Sequence, residues 1–97
     1  MNQDAEALQG PCRVVADITE PGRLVGWVTA GDATVDLLGS RKGSRWEIYG
    51  GSSDQFRGEG RESHQALVAF ARACGATSGT VEVCLEYRGK PPRHYTF

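Results

Sequence analysis

The sequence predicts an α+β fold: a mainly antiparallel sheet of about five to six strands with one helix, at about 62–74, packed on one face, in the order βββββαββ or βββ-β-α-β-β. Three observations carry this. Only one stretch has a helical apolar period: Leu67, Phe70, Ala71 and Cys74 fall at i, i+3, i+4 and i+7, a stripe that Ala66 and Val68 widen. Most other apolar residues alternate with polar ones, the period of a strand. Short Gly- and Pro-bearing turns separate those runs.

Taken in order, the polar stretch 1–11 ends in Gly10-Pro11 and is expected to form a loose N-terminal arm of a single domain, 1–97. Residues 12–18 read as a strand. Glu20-Pro21-Gly22-Arg23 places Pro and Gly where a type II turn needs them, and 24–29 completes a hairpin. Gly31-Asp32 is a tight turn before a third strand, 33–38. The run Gly39-Ser40-Arg41-Lys42-Gly43-Ser44 reads as a flexible basic loop. In a fourth strand, 45–49, Trp46 and Ile48 share one face while Arg45, Glu47 and Tyr49 share the other. Residues 55–57 are expected to be a short edge piece, followed by a loop at Gly58-Glu59-Gly60.

Gly60, Glu62 and Ser63 supply start signals for the helix, and Gly75 a stop. His64, in its first turn, is expected at the surface. The cleanest alternation lies at 80–87. There Val81, Val83, Leu85 and Tyr87 form one face, with Thr80, Glu82, Cys84 and Glu86 opposite. A turn at 88–92 leads to a last, short edge strand at 93–97.

Ninety-seven residues suffice for one modest core, since a chain of this size buries roughly 60–70% of its unfolded surface. No run approaches the ~20 apolar residues of a membrane span, and the acidic start lacks the apolar segment of a secretory signal. The three cysteines, Cys12, Cys74 and Cys84, are odd in number and lack Cys-x-x-Cys spacing. Reduced thiols and a cytoplasmic location are the expectation. Net charge is −1, but residues 1–40 carry a balance of −4 and residues 41–97 one of +3. Such polarity can steer partners together without defining a fold.

The first hairpin is the most informative oddity. Val14, Ala16 and Ile18 form one face of its first strand, with Val15 on the other. Leu24 and Val28 share one face of its second strand, with Val25 and Trp27 opposite. Both strands are apolar on both sides, whereas a helix of about 12 residues, roughly 18 Å long, covers only one. The second face would carry Val15, Val25 and Trp27, with Leu38 or Tyr49 beside them. Either the sheet curls over that face, or the arm (Ala5, Ala7, Leu8) lies across it, or it docks on another chain. Self-association is the first expectation, because homodimers are the commonest assemblies.

The chemistry-bearing residues are weaker. Cys84 with His94 could pair a nucleophile with a base, but no third orienting group accompanies them at a motif spacing. His64, Cys74, Cys84 and His94 contain no local chelating pair, so no metal and no cofactor is expected. The glycines at 58 and 60 lack the Lys-Ser/Thr ending of a phosphate-binding loop. Two segments interleave cations with aromatics: Arg41, Lys42, Arg45 and Trp46, then Arg88, Lys90 and Arg93 between Tyr87 and Tyr95. If they lay side by side they would form a positive strip suited to nucleic acid.

The run Phe56-x-Gly58-x-Gly60 followed by Ala66-Leu67 resembles the strand-to-helix junction of small bacterial antitoxin and immunity domains. That likeness implies no functional residue. The leading expectation is a non-enzymatic interaction module of inhibitor, immunity or regulatory type. It would bind a protein partner or itself through Val15, Val25, Trp27 and Tyr49. The alternative is a nucleic-acid-binding sheet using segments 41–46 and 87–95. No membrane partner is expected.

Overall fold

Three two-residue turns, Pro21-Gly22, Gly31-Asp32 and Gly43-Ser44, fold the first four strands into a meander. The computed structural model describes Leu8 and Gly10–Phe97. Its elements are β1 (Pro11–Glu20), β2 (Arg23–Ala30), β3 (Ala33–Lys42), β4 (Arg45–Gly50), β5 (Phe56–Gly60), α1 (Ser63–Ala73), β6 (Ser78–Leu85) and β7 (Arg93–Thr96). Single 3-10 turns lie at Ser52–Asp54 and Glu86–Arg88. Of the expected arm, residues 1–7 and Gln9 lie outside the described residues. Leu8 is buried in the core, and Pro11 already opens β1.

The fold is α+β in the order βββββαββ, the first of the two orders expected, but the sheet has seven strands and is mixed. Its order is β5-β4-β3-β2-β1-β6-β7. Five neighbouring pairs are antiparallel, while β1 and β6 run parallel, Val14 beside Val81. Topology explains the exception. Each strand of the meander reverses direction, and α1 makes one further pass, so β6 starts at the same end of the sheet as β1.

Three local expectations are corrected. Gly39–Lys42 are the end of β3 rather than a loop. Ser40 pairs with Arg23, and the Arg41 N–H donates to the Gly22 carbonyl at 2.9 Å, so the neighbouring hairpin holds this basic stretch in the sheet. Gly58 to Gly60 belong to β5. Tyr87 leaves the alternation of β6, because the chain turns at Glu86–Arg88 to return as β7.

The sheet is curled. In a flat sheet β5 and β7 would stand six strand spacings apart, about 29 Å, far beyond a helix about 10–12 Å across. Yet α1 touches both. Gly58 of β5 lies against the helix backbone at Ala66 and Phe70. At the other edge, the Tyr95 ring of β7 stacks on His64, centroids 3.9 Å apart and planes 2° from parallel. Arg72 lies 5.6 Å from the centroid of the Phe97 ring. The sheet is therefore a trough with α1 inside it, and His64 is half-buried in the closing contact rather than at the surface.

The trough holds the core. Val14, Leu24, Val28, Ile48 and Val81 face Leu67 and Phe70 across one cluster of buried side chains. Phe56 meets Phe70 edge-on, centroids 6.4 Å apart at 86°. This geometry suits the aromatic quadrupole. A capping box starts α1: the Glu62 side chain accepts from the Gln65 N–H, and Gln65 Oε1 accepts from the Glu62 N–H at 3.1 Å. Among the described residues no helix is long and apolar enough to cross a membrane.

Candidate partner-binding face

Because α1 fills the trough, the outer face of the sheet has no covering layer among the described residues. Strand registers determine what stands there. Leu38 faces Val25 across β3–β2, and Val15 faces Trp27 across β1–β2. Tyr49 stands beside Leu38 on β4. Trp27 and Val25 are two apart on one strand, so they share this face. The five side chains form one block. Three remain open to solvent, Val25 at 41%, Trp27 at 43% and Leu38 at 62%, while Val15 and Tyr49 are half-buried.

Polar groups ring the block. On the β6 side, Glu82 lies 3.5 Å from Arg13 and 3.9 Å from His94 Nδ1. On the β5 side, the Tyr49 hydroxyl donates to Glu47 while the Arg57 guanidinium sits 4.9 Å from its ring centroid. The hydrogen bond to Glu47, with burial and the Glu47 charge behind it, holds the Tyr49 hydroxyl above the usual phenol range; Arg57 opposes this. Asp17 and Asp36 stand beside Val25 and Trp27 in the register. An apolar centre inside a polar rim is the anatomy of a protein interface.

Every residue expected at this face is on it: Val15, Val25, Trp27 and Tyr49. Leu38, the most exposed large apolar side chain, belongs with them. Its sequence signal is the same period of two, since Leu38 is out of step with the buried Val35 and Leu37. The curl has occurred, but it wraps the helix side and leaves the outer face uncovered among the described residues. Of the residues expected to lie across that face, Ala5 and Ala7 are outside the described residues. Leu8 packs on the helix side, its carbonyl near Gly75.

The other candidates separate. The segments 41–46 and 87–95 reach the same end of the sheet, but β2 and β1 stand between β3 and β6, so they form no continuous strip. Trp46 is only 8% exposed because it faces the trough with Ile48, and its ring is not available for stacking on a base. Arg41 Nε donates to the Gly43 carbonyl and Arg45 pairs with Glu59 at 3.4 Å. Lys42, Arg88, Lys90 and Arg93 are exposed. Cys84 has its sulfur 3.9 Å from the Lys90 carbonyl, while His94 Nδ1 lies 3.9 Å from Glu82. Cys12 and Cys74 are core residues. Burial raises both thiols, that of Cys74 to about 12, with Cys12 nearby adding to the effect. Among the described residues no group of three or more His, Cys, Asp or Glu side chains is placed to hold a metal ion.

Comparisons of the chain with protein-family models, with curated proteins and with solved structures find no match.

Proposed function

We propose that this chain is a small, non-enzymatic interaction module of the cytoplasm that binds a protein partner through the outer face of its sheet, with a second copy of itself as the first partner to test. The observation that supports this reading is the block of Val25, Trp27 and Leu38, adjacent, strand-borne and exposed. Burying each exposed remainder is worth on the order of 1 kcal/mol, roughly half of a full side-chain burial. A contiguous patch of this kind usually marks a contact surface. Its rigid strands keep the ordering cost of binding low. An inhibitory, immunity-type or regulatory role suits such a module.

Sedimentation velocity across a concentration series, together with pull-downs using wild-type and Trp27→Ser baits, tests the reading. Wild type should self-associate or retain a protein that the variant loses, while both keep the same far-UV circular dichroism. A wild type that stays monomeric, and whose bait retains the same proteins as the variant, would sink it.

A further inference from the structure

At the end of the trough where α1 begins, the helix start and the β6–β7 connection leave a cleft of about 350 Å³. Its floor is apolar, made by Ile18, Val83 and Leu85, and its rim carries Lys90 and Arg93. The size is at the lower end for small-molecule sites, which favour the mouths of barrel-like sheets.

The charges of the cleft are unequal. Glu62 is the acid at its edge, held there by the Gln65 N–H of the capping box, and it pairs with neither cation. The capping box occupies the Gln65 N–H of the helix start. Lys90 and Arg93 have no carboxylate partner among the described residues, where the ion pairs are Arg13–Glu82 and Arg45–Glu59. Two cations without an ion-pair partner among the described residues, over an apolar floor, are complementary to a molecule with one anionic end and an apolar body. Glu62 disfavours a compact, multiply charged anion.

We propose that this cleft binds a small aliphatic carboxylate, its head between Lys90 and Arg93 and its chain on Ile18, Val83 and Leu85. The site is separate from the outer face and does not depend on the function proposed for it.

Octanoate, octan-1-ol and inorganic phosphate, titrated separately into ¹⁵N-labelled protein, test the proposal by amide shifts. Octanoate should shift residues 62–64, 83–85 and 90–95 and bind about tenfold more tightly than octanol, the difference expected when charge-assisted contacts are lost. The double variant Lys90→Gln/Arg93→Gln, checked for an unchanged spectrum away from the cleft, should lose the same factor for octanoate and none for octanol. Phosphate should leave the cleft unshifted. Absence of shifts at millimolar octanoate, shifts confined to Val25, Trp27 and Leu38, equal affinity for octanol, or phosphate binding as tight as octanoate would each overturn the assignment.

Discussion

Replacing Gly58 with alanine probes the contact that closes the trough. An added Cβ would lie 2.3 Å from Phe70 N, 2.6 Å from the Ala66 carbonyl oxygen and 2.7 Å from Phe70 Cα, where ordinary contact begins near 3.4 Å. All three obstacles are helix backbone, so no rotamer change relieves them. The helix must retreat from β5 by roughly 1 Å, disturbing a densely packed core. Overpacking of this kind costs about 1–3 kcal/mol, and a backbone obstacle belongs at the upper end. Alanine returns about 0.4–1 kcal/mol by restricting the unfolded chain. The net expectation is a loss of about 2 kcal/mol. Urea unfolding followed by circular dichroism should show a lower midpoint at an unchanged slope. Gly43→Ala is the control: that turn glycine has φ +63° but nothing within 4 Å of the added carbon, so only the backbone term of about 1 kcal/mol applies. If Gly58→Ala costs no more than Gly43→Ala, the close approach of β5 to α1 does not hold the trough shut.

Other perturbations follow from the same geometry. Phe70→Ala removes a fully buried ring and should cost about 3–5 kcal/mol by denaturant titration. Trp27→Ser, at a half-exposed position, should change stability by only about 1 kcal/mol while abolishing association in sedimentation. Under native conditions a maleimide should label half-exposed Cys84 first, with Cys12 and Cys74 reacting only on unfolding; mass spectrometry of the labelled peptides reads this directly. Alkaline pH should destabilise the fold through Cys74. An unfolded thiol titrates near ~8.5, whereas the folded one is pushed up to about 12. Between those values the unfolded chain has shed a proton that the folded chain keeps. Stability from this group is therefore full below about pH 8.5 and falls as pH rises toward 12. Cys74→Ala should flatten that part of the wild-type pH–stability curve; an unchanged slope would contradict the assignment.

Periodicity made much of the molecule legible beforehand. The stripe Leu67, Phe70, Ala71, Cys74 is the buried face of α1, and Val81 with Val83 is the buried face of β6. The two-sided apolar character of β1 and β2 correctly separated Val14 from Val15 and Val28 from Trp27. Composition misled where a neighbour supplied the missing partner. Gly39–Lys42 looks like a loop in isolation, yet β2 provides its hydrogen bonds. Gly58 looks like punctuation, yet its missing side chain makes room for the backbone of the helix that follows, at Ala66 and Phe70. The cleft had no local signal, because Ile18, the start of α1 and Lys90 are distant in sequence.

The order of elements, the face that each strand turns inward, and the apolar surplus on Val25, Trp27 and Leu38 follow from residue spacing alone, since periods of two and of about 3.6 are local properties of the backbone. The parallel pairing of β1 with β6, the curl around α1, the stacking of His64 on Tyr95 and the cleft beside it come from tertiary structure alone. Each depends on long-range strand pairing and on how closely two backbones approach, and no window of neighbouring residues encodes either.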